Sequence, residues 1–240
     1  MQLLDLTLDT PAENLALDEA LLEERDLETA RGELLRLWEP AQPMVVVGRA
    51  SRLAEEVDLA ACHARGIPVL RRTSGGAAIV AAPGCLMYAV ILQYARRPAL
   101  RMIQHAHQFV LGTLAEALAR QVAGVRPRGI SDLALADDRK FSGNSLRCKR
   151  EFLLYHGTLL YDFPLELLGV CLKMPPRQPD YRRGRGHGQF VANLPLDRGA
   201  LRQAVLDAWR PQGQLAAWPC QATRELVASR YARAEWNQRL

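Results

Sequence analysis

Three short stretches carry side chains suited to holding an anion beside an amine. The first, Arg71-Arg72-Thr73-Ser74-Gly75-Gly76-Ala77-Ala78, lies between apolar runs at residues 67–70 and 78–92. Paired glycines let a backbone turn sharply and approach a ligand, and bare amides beside two guanidinium forks suit a phosphate or carboxylate. The same residues also suit a tight hairpin turn with its arginines in solvent. The second stretch is Asp138-Arg139-Lys140-Phe141-Ser142-Gly143-Asn144-Ser145, and the third is His156-Gly157-Thr158-Leu159-Leu160. Lys140, Lys149 and Lys173 are the only lysines beside many arginines. A lysine inside a glycine-bearing motif therefore points to a compact ammonium that arginine does not replace. A surface lysine at a strand start is the plainer alternative.

These stretches need a scaffold, and the chain can build one. At 240 residues, with 49% hydrophobic and 24% charged residues, it suits a globular protein of one large or two small domains. No apolar run reaches the ~20 residues of a membrane span, and Met1-Gln2-Leu3-Leu4-Asp5 does not open a secretory leader, so the expectation is a cytoplasmic protein without a membrane partner. Five widely spaced cysteines without C-x-x-C argue against disulfides and zinc, and no histidine spacing suggests a metal. The net charge of +5 suits nucleic acid, an anionic nucleotide or an acidic protein partner without choosing among them.

Pattern reading places a strand at 2–8 and an amphipathic helix at 11–25, capped by Thr10 with Pro11 and Glu13 in the first turn. Strands at 33–38 and 44–47 are joined by a proline-rich turn, a helix covers 51–65, and a strand at 67–70 leads into the glycine turn. A buried strand follows at 86–94, then the longest helix at 98–123. Strand candidates at 133–137, 140–147 and 152–161 have connections short enough for antiparallel pairing. Helices at 164–172 and 198–209 flank a Pro/Gly/Arg-rich loop at 175–188. The order predicts an α+β fold, a mixed, largely antiparallel sheet with helices on one face.

All three stretches together resemble the lipoate–protein ligases, relatives of the biotin ligases. Residues 71–78 resemble the R-R-x-S-G-G-G-A signature, residues 138–145 the D-R-K-[VIF]-[SA]-G-[SN]-[AS] motif, and residues 156–160 the H-G-[TS]-L-L strand. Weaker echoes at 46–49 and 190–194 extend the match over roughly residues 1–210. The chain departs from the pattern at Ala77 in place of the third glycine, at residues 79–84 in place of V-x-H-D-x-G, and at Ser51-Arg52 in place of Gln-Asn. The resemblance implies a biotin/lipoate ligase catalytic domain over 1–210. The extension at 211–240 is expected to be too short for an accessory domain.

The resemblance also implies the chemistry: an ATP-dependent ligase that adenylates lipoate or octanoate and transfers the acyl group to a lysine of an acidic lipoyl-carrier domain, with magnesium on the nucleotide. Such a site must neutralise a carboxylate and an α-phosphate as they approach, which glycine amides and a lysine can do. Lys140 is the expected catalytic residue. Arg72, Ser74, Gly75, Gly76, Ala77, Ala78, Ile79, Val80, Ser142 and Gly143 are expected, with Lys140, to bind ATP and the acyl-adenylate. Arg71, Asp138, His156 and Gly157 are further candidates for the site's lining, and Val45–Val47 with strand 86–92 could wall an acyl slot. The arginine-rich loop lies where the family has an ordering substrate loop and is read as a lid; a solvated loop, a carrier contact and an RNA-binding run are its alternatives.

Two rivals share the fold. An octanoyltransferase would take its acyl group from acyl carrier protein through a cysteine, and a non-catalytic homologue would bind adenylate or carrier without turnover. In the known transferases the cysteine falls where this chain has residues 124–131 or 181–189, neither of which contains one. Nucleic-acid binding is disfavoured because aromatics make up only 6% and no stacking module is evident. A separately encoded small subunit is the remaining expected partner.

Overall fold

The first helix starts as its sequence dictates. Thr10 Oγ1 accepts the Glu13 amide at 3.2 Å and Glu13 accepts the Thr10 amide at 3.0 Å, a reciprocal capping box. The computed structural model describes residues 1–27 and 30–239. In chain order the strands are β1 (Gln2–Asp5), β2 (Leu34–Trp38), β3 (Met44–Val47), β4 (Val69–Arg71), β5 (Ile79–Ala81), β6 (Cys85–Gln93), β7 (Arg126–Arg128), β8 (Asp132–Ala134), β9 (Lys140–Cys148) and β10 (Phe152–Leu160). The helices are α1 (Pro11–Asp26), α2 (Leu53–Glu56), α3 (Leu59–Ala64), α4 (Ile103–Ala119), α5 (Glu166–Cys171), α6 (His187–Phe190), α7 (Arg198–Trp209), α8 (Cys220–Leu226) and α9 (Ala234–Asn237).

Seven strands form a sheet in the order β1-β2-β6-β10-β9-β8-β7, parallel only between β1 and β2. A smaller sheet has the order β4-β3-β5. The α+β, largely antiparallel architecture is as expected, but helices cover both faces of the large sheet. Leu35, Tyr88, Val90 and Leu153 share a core with α4 and α7 residues, whereas Leu34, Ala89, Ile91 and Leu154 pack against Leu17, Leu21 and Leu22 of α1. That two-sided burial explains the nearly unbroken apolar run of β6.

Three local expectations change. The strands at 33–38 and 44–47 belong to different sheets, because β2 already pairs with β1 on one edge and β6 on the other. The expected helix at 51–65 is broken at Val57, which is extended and bridges Leu172; Asp58 then recaps α3 through the Ala61 amide at 2.9 Å. The glycine turn is not a hairpin loop, since β4 and β5 pair with opposite edges of β3.

The C-terminal residues fold back on β4 and α1. Trp236 Nε1 donates to the Arg71 carbonyl at 2.8 Å, and Asn237 Oδ1 accepts the Arg71 amide at 3.0 Å. Glu19 of α1 accepts from Tyr231 at 2.7 Å and from Arg230. This segment therefore braces the strand that leads into the glycine turn. Among the described residues no helix is long and apolar enough to cross a membrane.

Candidate active site

Between the two sheets lies a cleft of about 1540 Å³, into which the glycine turn, β9, β10 and the 175–188 loop all converge. The turn is shaped by side chains that draw its carbonyls backward. Arg72, 7% exposed, donates to the carbonyls of Val46, Gly75 and Ala77. Ser145 Oγ donates to the Gly75 carbonyl at 2.8 Å, Ser51 Oγ to the Gly76 carbonyl at 3.0 Å, and the Arg49 amide to the Ser74 carbonyl at 2.8 Å. The amides of Gly75, Gly76 and Ala77 take no partner among the described residues. Carbonyls withdrawn and amides left bare make a nest for an anion. Burial lowers the Arg72 pKa to about 10, which leaves its charge intact at neutral pH.

Gly76 sits at φ 86°, a left-handed value that favours glycine. Gly48 is required for a different reason: a Cβ there would lie 1.8 Å from the Gly76 carbonyl oxygen. Glu56 accepts the Ala78 amide, so α2 fixes the far side of the turn.

Opposite the turn, Lys140 opens β9 and is 28% exposed at its side chain. Its Nζ stands 2.7 Å from Asp132 Oδ1, while Asp132 Oδ2 accepts the Tyr181 hydroxyl at 2.8 Å. The β8–β9 ladder slips here, Leu133 facing Ser142 and Ala134 facing Lys140, so Phe141 is the extra residue and is fully buried. A Cβ on Gly143 would meet Lys140 Nζ at 2.9 Å, so the glycine gives the ammonium its room. Likewise a Cβ on Gly157 would strike Asn144 Oδ1 at 1.8 Å.

Of the sequence candidates, Arg72, Gly76, Ala77, Ala78, Ile79, Val80, Lys140, Ser142, Gly143, His156 and Gly157 line the cleft. Ser74, which is buried, and Gly75, which is exposed, are not part of the lining and shape the turn. Arg71 does not line it: fully buried, its guanidinium donates to the carbonyls of Gly48, Ser51, Trp236 and Arg239 and ties the tail to the turn. Asp138 lies outside as well, at φ 61° and paired with Arg126 and Arg128, while Arg139 pairs with Asp137. Val46, Ile79, Val80 and Met87 contribute apolar wall, whereas Val45, Val47 and most of β6 are core.

The arginine-rich loop is anchored. Arg182 is 4% exposed, with its guanidinium over the Phe190 ring, and Arg185 donates to the Asp138 and Tyr181 carbonyls. The loop's residues 175–183 line the cleft mouth, which fits a cover better than a solvated loop.

Asp18 and Asp132 are among the cleft residues that the sequence did not single out. Asp18 follows Asn14 by one helical turn on the buried side of α1, and both meet Arg36 of β2. A polar pair four residues apart inside a leucine-rich helix was the available signal. Asp132 carried only its place before the lysine motif.

A comparison with protein families decides the kinship. Residues 10–204 match the family described as the lipoyl protein ligase A/B catalytic domain. The chain belongs to that family. Within it, octanoyltransferase LipM of Carboxydothermus hydrogenoformans is 38% identical over 265 residues, covering 94% of this chain and 93% of its own. The bi-partite lipoate protein ligase of Thermoplasma acidophilum, analysed with its E2 lipoyl domain, shares the fold at a TM-score of 0.79 and 22% identity, over 99% of this chain and 96% of the other. A crystal structure of lipoate-protein ligase A bound with ATP gives 0.79 and 22% over 99% of each chain. The chain spans about half the length of three further curated relatives named as lipoate-protein ligases, 56%, 46% and 54% of each.

Proposed function

We propose that this protein is an ATP-dependent ligase for lipoate or octanoate. The acid's carboxylate attacks the α-phosphorus, pyrophosphate leaves, and a lysine amine of a lipoyl-carrier domain then takes the acyl group and releases AMP. The observation that carries this reading is the pairing of a bare-amide nest at Gly75–Ala77 with Lys140 across one cleft that also has an apolar wall. The nest suits the phosphates, and the ammonium suits the oxygens shared by carboxylate and α-phosphate, where negative charge accumulates during adenylation. The ATP in the lipoate-protein ligase A structure supports the nucleotide assignment. Magnesium enters with the nucleotide as part of the substrate.

The test is direct: incubate the protein with magnesium-ATP, lipoate or octanoate, and a lipoyl-carrier domain. Pyrophosphate release together with an acyl gain in carrier mass is the expected result. Neither product in the presence of a competent carrier would remove the ligase reading.

The likeness to an octanoyltransferase along nearly the whole chain favours one rival, acyl transfer through a cysteine. The thiols are badly placed for it. Cys85 is buried beside Met87 and its pKa is pushed far up by burial, Cys62 is pushed up to about 12 by burial, and Cys171 is also raised. Cys148 is exposed at the end of β9, and no cysteine lines the cleft among the described residues. The variant Cys85→Ser/Cys148→Ser/Cys171→Ser is expected to keep ATP-dependent transfer. Isolation of an octanoyl thioester on any of these residues during turnover would assign the protein to the transferases instead.

An acidic carrier is the partner that best suits a chain of charge +5. Carrier KM is expected to rise with salt between about 50 and 300 mM, because screening shortens the range of surface attraction. A salt-independent KM would argue for an apolar docking surface. The bi-partite relative supports a second, small subunit as a further partner.

A further inference from the structure

Behind the nest runs a chain of hydrogen bonds that holding a nucleotide does not by itself require. Ser74 Oγ lies 2.6 Å from His156 Nε2, and His156 Nδ1 lies 3.2 Å from Asp18 Oδ2. Arg36 secures the far end, its Nη1 2.5 Å from Asp18 Oδ1, and Arg72 Nε donates to Ser74 Oγ at 3.1 Å. Burial would raise the Asp18 pKa, but Arg36 and His156 outweigh it and hold the carboxyl below its usual range. An ionised Asp18 accepts a hydrogen bond from Nδ1–H and leaves Nε2 to face the serine. The order of groups is that of a serine-hydrolase relay. Ser74, however, is 1% exposed and off the cleft wall, so the chain acts on the turn and not on a substrate carbonyl.

We propose that Asp18, His156 and Ser74 are positioning residues that couple a proton on His156 to anion binding in the glycine turn. The inference rests on the turn being the nucleotide site. When His156 is neutral, the Ser74 hydroxyl donates to Nε2. When it is protonated, Nε2–H donates to Ser74 Oγ, which already receives Arg72 Nε–H, so the hydroxyl hydrogen has to turn elsewhere. A positive charge then also stands behind the bare amides of Gly75–Ala77. The charged groups around His156 are Asp18 from α1, Arg36 behind it from β2, and Arg72 from the turn. Its strand partners, Ala89 of β6 and Ser145 of β9, are uncharged, and Glu19 is engaged by Arg230 and Tyr231. The added charge favours an anion, so by reciprocity anion binding takes up a proton.

The experiment is titration calorimetry of magnesium-ATP binding to the full chain from about pH 6 to pH 8. His156→Gln is the comparison, since glutamine keeps an acceptor for Ser74 and cannot be protonated. The nucleotide's own titration cancels in the ratio of the two Kd values. That ratio is expected to move about 3- to 10-fold across the range, with the wild type gaining affinity toward low pH, the scale of one charge-assisted contact. A ratio constant with pH overturns the coupling. Failure of the wild type to bind magnesium-ATP at any pH would instead overturn the reading of the turn as the nucleotide site. If His156→Gln melts early, His156→Asn, which keeps a donor toward Asp18, is read in the same way.

Discussion

Lys140→Ala and Lys140→Arg are expected to lose acyl transfer by about 10²–10³-fold while the protein still folds. The fold should survive because Lys140 is partly exposed, and its partner Asp132 keeps the Tyr181 hydroxyl as a second hydrogen bond. The rate should fall in both variants for different reasons. Alanine removes the charge. Arginine keeps it but brings a planar fork into a space that Gly143 opens only far enough for an ammonium, 2.9 Å from where a Cβ would stand. Pyrophosphate exchange and carrier acylation, each measured beside a thermal melt, separate lost chemistry from lost structure. Near-wild-type turnover in Lys140→Ala would take the lysine out of the reaction.

The second large effect is expected from a residue that no ligand need touch. Gly48→Ala would place a methyl carbon 1.8 Å from the Gly76 carbonyl oxygen, where ordinary contact begins near 3.4 Å. Relief requires the turn to shift by more than an ångström, and displacements of that size can cost about 10²-fold in activity. The loss should appear in ATP affinity and in adenylation alike. Gly75→Ala is the built-in control, because a Cβ at Gly75 meets nothing within 4 Å. Wild-type ATP affinity in Gly48→Ala would mean that the turn does not hold the nucleotide. Equal losses in both variants would mean that the turn tolerates no side chain for reasons other than this collision.

Short-range signals in the chain were readable without coordinates. Thr10, Pro11 and Glu13 specify a helix start through bonds that span only three residues, and α7 begins and ends where its pattern places it, at Arg198 and Trp209. The antiparallel strands around Lys140 and His156 were legible because short connections leave few other pairings. Gly76, Lys140 and Gly143 stood out because glycine and lysine have few substitutes where backbone or ammonium must come close. The helices of the C-terminal segment were not foreseen. Their short apolar pattern gains its meaning only from α1, Glu19 and Arg71, which stand far away in the chain.

By itself the sequence determined the α+β class, the order of most elements and the residue types that meet an anion, because capping, periodicity and turn chemistry act within a few residues. Tertiary structure alone decided how those residues divide their work. The two neighbouring arginines show why: Arg71 faces the carbonyls of the 48–51 loop and the tail, whereas Arg72 gathers the carbonyls of the turn and leaves its amides bare. Adjacent residues in the turn's entry strand point to opposite sides, so which one meets the cleft depends on what packs behind each. The same holds for Asp18 and Asp132, whose partners Arg36, His156, Lys140 and Tyr181 come from other elements, and such pairings form only when the sheet and α1 close on each other.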